Sequence, residues 1–229
     1  MATDTKSTRR RRAPLSRERV LRQAIAIADD GGIESLSMRK LAGALGVEAM
    51  SLYNHVANKG DLVDAMVDAV IGEIELPPDD EDWDVAIRKC AISAHETFVR
   101  HPWSCSLVIA PSMVPTLRSN RVRYMEWLLR RLRKAGFSAD LTYHAYHALD
   151  SHILGFTIWA LGHAAGARTS AGDESIADVA ARYIAELRAG DFTYLAEHAE
   201  QHLTAPAGDT KSEFEFGLDL ILDGLKRAE

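Results

Sequence analysis

A chain of 229 residues, 47% hydrophobic and 26% charged, has room for one large or two small domains and enough apolar content to exclude wholesale disorder. Its two cysteines, Cys90 and Cys105, are too few for a disulfide framework or a four-thiolate zinc site, and read as reduced thiols of a cytoplasmic protein. The net charge of −6 conceals a division: the first 60 residues hold 11 Lys/Arg against 6 Asp/Glu, the rest 16 against 27. A basic head on an acidic body points that head at a polyanion, since each phosphate contact releases condensed counterions.

In chain order, residues 1–15 form a polar arm, disordered in isolation, that carries the run Arg9, Arg10, Arg11 and Arg12. From Ser16 the pattern is helical. Val20, Leu21, Ala24, Ile25 and Ala28 share one face, and Gly31-Gly32 stops that helix. Ser37 is positioned to cap a second helix with Leu41 and Leu45 inward, Gly46 breaks it, and a third short helix is expected from Glu48 to His55. Asn58 followed by Asp61 resembles a capping box for a fourth helix running to about Glu75. Pro77-Pro78 and the acidic run Asp79–Asp82 then separate a domain over 16–76 from one over 82–229. Helices are expected over 82–100, 104–110, 118–135, 139–166, 175–188, 191–203 and 212–227, with flexible loops over 166–174 and 204–211. All seven prolines avoid helix interiors, and no strand alternation or repeat appears. No run is long and apolar enough for a membrane span, no apolar stretch follows the basic start as a secretory signal requires, and the fold class is all-α.

The stretch Ser37–Val56 has the layout of a helix-turn-helix: Gly46 makes the turn, Val47 pins it, and Leu52 and Val56 anchor the third helix. Ala49, Met50, Ser51, Tyr53, Asn54 and His55 are left facing outward, small and hydrogen-bonding types suited to the major groove. Any compact helical hairpin shares part of this pattern. The four arginines of the arm suit an adjacent minor groove, with a solubilising tail as the plainer alternative.

Leu36-Ser-Met-Arg-Lys-Leu-Ala42, Leu45-Gly-Val47 and Leu52-Tyr-Asn-His-Val-Ala-Asn-Lys-Gly-Asp-Leu62 resemble the tetracycline repressor (TetR) family of bacterial transcription regulators across residues 16–70. A weaker similarity to that family's ligand-binding domain continues through His101-Pro-Trp103, Leu132–Phe137, His147–Asp150, Leu154-Gly-Phe156 and Phe216–Gly224. The resemblance implies an N-terminal three-helix DNA-binding domain and a C-terminal bundle for ligand and dimer. It implies Arg39 as a base-reading arginine, with Met38, Lys40 and Glu48 beside it on the same surface. Ala49 and Met50 open the recognition helix, where apolar side chains suit thymine methyl groups. Ser37, Ser51, Tyr53, His55 and Lys59 fall where phosphates are held, contacts that set register and carry no sequence information.

Beyond residue 82, aromatic and sulfur side chains are concentrated, which suits either an ordinary core or a mostly apolar small-molecule pocket. Phe98, Trp103, Met113, Trp127, His147 and Phe156 are the candidate lining. His144, His147 and Asp150 share a helix face, yet the zinc-protease pattern is absent and hydrogen-bonded histidines are the plainer reading, so no metal and no cofactor are expected. No nucleophile elbow, dinucleotide loop or phosphate loop occurs, so an enzyme is not expected. Leu149, Ile153, Phe156, Phe216, Leu220 and Ile221 make two helices too apolar to face water all round, and the resemblance implies that these pair with their symmetry mates as a homodimer on a palindromic operator. The expected partners are double-stranded operator DNA, a second copy and a small-molecule effector. The alternatives are an activator, a ligand-independent regulator, and a helical small-molecule-binding protein or enzyme that does not touch DNA.

Overall fold

The computed structural model describes residues 14–109, 117, 119–169, 176–204 and 210–228. Arg9–Arg12, Met113 and most of both expected loops lie outside these residues. Among the described residues every regular element is helical and no strand occurs. The chain forms two compact units, Met1–Ala69 and Val70–Glu229, divided within the fourth helix.

The first unit holds α1 (Arg17–Gly31), a single turn at Ile33–Ser35, α2 (Met38–Leu45), α3 (Ala49–Leu52) and the start of α4 (Lys59–Ile71). The Ser16 hydroxyl caps α1 by accepting from Arg19 N, and Gly32 leaves the helix at φ 73°. Val20, Ala24, Leu41, Leu52, Leu62 and Met66 are fully buried. Helix three is shorter than the sequence pattern predicts. Tyr53 N and His55 N bond only three residues back, to Met50 O and Leu52 O, so the last turn tightens and the α-helix stops at Leu52. Two groups outside that helix cause this. Arg17 donates to His55 O at 2.8 Å, and Asn58 and Asp61 cap α4: Asp61 N donates to Asn58 Oδ1 at 2.9 Å and Ala57 N to Asp61 Oδ2 at 3.0 Å. Helix α4 in turn ends at Ile71 and not at Glu75, because Glu73 is drawn aside by Arg100 at 3.0 Å and His101 at 3.3 Å.

The second unit comprises α5 (Trp83–Arg100), α6 (Ser104–Ile109), α7 (Asn120–Lys134), α8 (Ala139–Thr169), α9 (Ile176–Ala189), α10 (Thr193–Thr204) and α11 (Thr210–Ala228). Helix α8 is the spine against which α5, α6, α7 and α11 pack, while α9 and α10 pair with each other. The strap before α5 is held by α7. Arg131, buried, donates to Glu81 O at 2.9 Å, Pro77 O at 3.0 Å and Pro78 O, and the Trp127 indole N–H joins at Pro77 O, 3.1 Å.

Helices α5, α8 and α11 meet at a buried polar knot. Thr157 gives its one hydroxyl proton to Ile153 O at 2.6 Å, so His95 Nδ1 donates to Thr157 Oγ1 at 2.7 Å. Phe214 lies between two imidazoles, with ring centroids 4.3 Å from His95 and 4.9 Å from His152. His152 Nε2 also donates to Phe214 O at 2.9 Å. A Cβ at Gly217 would stand 2.5 Å from His152 Cε1, so only glycine lets α11 come this close to α8.

Gly217→Ala is therefore expected to destabilise the protein by about 1–3 kcal/mol in urea unfolding, the usual cost of overpacking. In a His152→Ala background the clash is gone and alanine's helix preference of about 1 kcal/mol should turn the same substitution neutral or stabilising. The reversal of sign is the measurement.

Candidate functional site

The first unit builds a rigid surface around one left-handed residue. Ser37 caps α2 by accepting from Lys40 N, and Gly46 ends it at φ 67°, ψ 41°. Val47 N then reaches back to Ala42 O at 3.0 Å and Gly46 N to Gly43 O at 3.1 Å, which closes the last turn of α2 and starts α3 two residues later. Arg19 reinforces the corner by reaching Leu45 O at 3.4 Å. Leu41, Leu45, Leu52 and Val56 are buried behind the surface.

In front of it, Ser37, Arg39, Lys40, Glu48, Ala49, Asn54 and Lys59 are exposed, and Met38, Ser51 and His55 are half-buried. Met50 is 74% and Tyr53 45% exposed, so both side chains stand on the outer face of this head. Two residues that brace this surface escaped the sequence reading. Arg17 and Arg19 look like part of a general basic charge, yet Arg19 bonds the Leu45 carbonyl at the end of α2 and Arg17 the His55 carbonyl beyond α3, a role no local pattern could reveal.

The second unit contains a small cavity walled by Ile71, Ile74, Phe98, Val108, Arg121, Tyr124, Met125, Tyr146, Asp150 and Leu154, with about 30 Å³ of free volume. Of the six lining candidates, only Phe98 belongs to this wall. Trp127 serves the strap, under the Arg131 guanidinium at 5.3 Å from its ring centre. Trp103 is buried edge-on to His101, Phe156 packs on His95, His152 and Phe214, and His147 lies exposed beside Tyr143 and Tyr146. Met113 is outside the described residues. The wall's polar residues, Arg121 and Tyr124 on α7 and Tyr146 and Asp150 on α8, were not read as a wall because only the fold brings the two helices together.

The dimer candidates divide. Leu149 and Ile153 are buried in the chain's own bundle, so they are corrected from interface to core. Phe156 is half-buried in the α8–α11 knot and Ile221 is half-buried, whereas Phe216 is 68% and Leu220 58% exposed on α11. Among the described residues no cluster of three or more His, Cys, Asp or Glu could hold a metal, and His144 pairs instead with Asp140 at 3.7 Å. No described helix is long and apolar enough to cross a membrane.

Burial shapes the chemistry of the cavity. Desolvation raises the Asp150 carboxyl above its ordinary value against the opposing pull of Arg121 and His147, and it raises the Tyr124 and Tyr146 phenols. Burial likewise pushes the Cys90 thiol up to about 12 and the Cys105 thiol up to about 11, so both are inert at neutral pH.

A helix-turn-helix head with an exposed reading surface, joined to a separate all-helical unit with its own cavity, defines a DNA-binding regulator. Comparisons with known proteins agree. Residues 20–66 match the family model described as bacterial regulatory proteins, tetR family, and residues 76–228 match the tetracyclin repressor-like C-terminal domain. The chain is 31% identical over 228 residues to the HTH-type transcriptional repressor DrrR1 of Streptomyces coeruleorubidus, covering 98% of this chain and 82% of the relative. It is 30% identical over 171 residues to the class D tetracycline repressor protein of Escherichia coli, covering 72% of this chain and 76% of that protein. Among solved structures, ActR from Streptomyces coelicolor in complex with actinorhodin superposes with a TM-score of 0.72 at 29% identity, over 94% of this chain and 99% of that one. The chain belongs to the TetR family and is a DNA-binding transcriptional repressor, not an enzyme.

The raised Asp150 carboxyl makes a stability prediction. A folded-state value above the unfolded one means the native protein binds this proton more tightly, so the aspartate costs stability once pH rises past the folded value, and acid relieves that cost. Asp150→Asn should therefore raise the melting temperature at pH about 8 more than at pH about 4. An equal gain at both would show that the site does not desolvate the carboxylate.

Proposed function

We propose that this repressor binds a roughly palindromic operator as a cytoplasmic homodimer and is released when a small molecule enters the helical unit. The observation that carries the reading is the exposed surface of Ala49, Met50, Tyr53 and Lys59 on a head whose buried residues fix it. Tyr53, His55, Lys59, Ser37 and Ser51 hold phosphates; the Ser37 hydroxyl, already accepting from Lys40 N, keeps its proton to donate. Arg39 suits guanine's paired acceptors and Met50 a thymine methyl. Met38, Lys40, Glu48 and Asn54 flank that contact, and Arg9–Arg12 reach an adjacent minor groove. The exposed Phe216 and Leu220 stripe of α11, next to α8, is the face that a second copy covers. Such a pair presents its two recognition helices about one DNA turn apart, ~34–36 Å. Release by a small molecule is supported by the cavity and by the ligand-bound relative with the same fold.

Phosphate contacts act alike on all sequences. Lys59→Ala and Tyr53→Phe should weaken operator and random DNA similarly, with Lys59→Ala flattening the salt slope by about one unit in a mobility-shift series. An unchanged slope removes Lys59 from the interface.

Base contacts act at single positions. Met50→Ala and Arg39→Ala should each shift preference at one base step by about 1–3 kcal/mol in a binding-site selection. A selected sequence identical to that of the parent protein would mean the reading surface is misplaced.

Oligomeric state tests the rest. Phe216→Glu with Leu220→Glu should give monomers by sedimentation and, with the head untouched, lose full-operator affinity. Monomers that hold the full operator tightly would refute the dimer reading.

A further inference from the structure

The stretch that carries the phosphate-facing side chains is irregular. Beyond Leu52 the chain makes three-residue turns, Tyr53 N to Met50 O at 3.3 Å and His55 N to Leu52 O at 2.9 Å. Such turns have poorer hydrogen-bond geometry than a full helical turn, so the direction of the Tyr53 hydroxyl depends on what holds the stretch from outside. It is held at two points. Ala57 N donates to Asp61 Oδ2 at 3.0 Å, within the cap of α4. His55 O, a carbonyl past the end of α3 with no further helical turn to bond it, accepts from Arg17 Nη1 at 2.8 Å. The same nitrogen lies 4.0 Å from Asp61 Oδ2. One guanidinium at the start of α1 thus reaches both the end of the recognition segment and the carboxylate that caps the next helix.

The plainer role for an arginine beside this surface is a phosphate contact of its own, since its side chain is 52% exposed. Two observations point elsewhere. The nitrogen that would grip a phosphate is engaged with the His55 carbonyl, in a charge-assisted bond of the stronger kind. Asp61 already places a negative charge beside the guanidinium and repels a second one. We propose that Arg17 is a positioning residue for DNA binding: it fixes the His55 carbonyl, and through it the direction of the Tyr53 hydroxyl, without touching a phosphate itself. This rests on the reading that Tyr53 holds a phosphate. The two roles differ in their salt signature. A hydroxyl is neutral and releases no condensed counterion when its contact is made or lost, whereas a cation on a phosphate releases about one. Losing Arg17 as a positioning residue therefore costs affinity and leaves the salt dependence alone.

The test is a double-mutant cycle of Arg17→Met and Tyr53→Phe on the full chain, read by fluorescence anisotropy across a salt series on a duplex that the parent protein selects from a random pool. Arg17→Met should raise Kd about tenfold in the parent but only about twofold in the Tyr53→Phe background, because the contact it directs is already gone there. The slope of log Kd against log salt should stay at the parent's value. Should Arg17→Met lose the native helix content by circular dichroism, the neutral and shorter Arg17→Gln carries the same cycle. A slope flattened by about one unit would make Arg17 a phosphate contact and overturn the proposal. An equal loss in both backgrounds, beside a Tyr53→Phe variant that is itself weakened, overturns the positioning role alone and leaves Tyr53 on its phosphate. No loss on Arg17→Met does the same. A Tyr53→Phe variant that binds like the parent overturns the Tyr53 reading and the proposal together.

Discussion

The second unit depends on one guanidinium. Pro77 and Pro78 have no N–H, so the strap they form cannot enter a helix or a ladder, and its carbonyls need donors from elsewhere. Arg131 supplies them from α7, and Trp127, one turn earlier, adds a fourth donor and a ring face beneath the cation. A planar fork with fixed donor geometry does this where a lysine's point charge would not. At the exposed rim, Lys134 bonds Asp79 at 2.8 Å and holds that carboxyl below its usual range. Because the strap is fixed here, Ile71 and Ile74 are fixed just before it, and they form one wall of the cavity. Without the clamp, the distance between that wall and α7 would not be set.

Helix α11 is apolar on two faces for two reasons. Phe214, Leu218, Leu222 and Leu225 recur at the spacing of the inner face and are buried against the chain's own bundle. Phe216 and Leu220 form a second stripe four residues apart, facing out. The Phe214 sandwich between His95 and His152, with Gly217 admitting the His152 ring, fixes the rotation of the helix and hence which stripe is outermost. Surface charge supports the seating: Arg88 on α5 bonds Asp219 at 2.7 Å and Glu215 at 2.8 Å, and Lys226 bonds Asp84. These pairs are partly exposed, and such links contribute about 0–1 kcal/mol each, so they select orientation more than they stabilise.

The helices were legible because their ends are written locally. Ser16, Ser37 and Asn58 cap helix starts, and Gly32 and Gly46 end helices at positive φ, all readable from residue type and spacing. Helix three is shorter than the pattern of Tyr53–His55 predicts because the groups that end it, Arg17 38 residues away and the Asn58–Asp61 cap of α4, lie outside that pattern. The exposed face of the helix-turn-helix was legible for the same reason as the caps: it is one contiguous motif. The cavity was not. Aromatic content drew attention to Trp103, Trp127 and Phe156, which are bulky and therefore useful for packing, whereas the wall combines short stretches of several elements from Ile71 to Leu154 that no local pattern joins. Periodicity told that Leu149 and Ile153 face something apolar, but not whether that neighbour lies in the same chain.

A cavity that holds about one water constrains how any guest can act on the repressor. Entry requires a wall to move, and the walls are unequally held. Helices α5, α7 and α8 are packed on one another, and the strap is fixed through Arg131 and through Glu75 N to Ser93 Oγ at 2.9 Å. Ile71 and Ile74 lie between that fixed strap and the body of α4, in a turn held by three-residue bonds, Glu73 N to Val70 O and Ile74 N to Ile71 O. Such a turn has weaker geometry than a full helical turn, but Glu73 ties it to Arg100 at 3.0 Å and His101 at 3.3 Å, so displacing it also breaks those contacts. The free energy available for displacing it is bounded by the difference in the guest's affinity for the closed and opened cavities, whatever its total affinity. A hundredfold difference is worth about 2.7 kcal/mol, so a guest that merely fits the closed cavity could bind without switching anything.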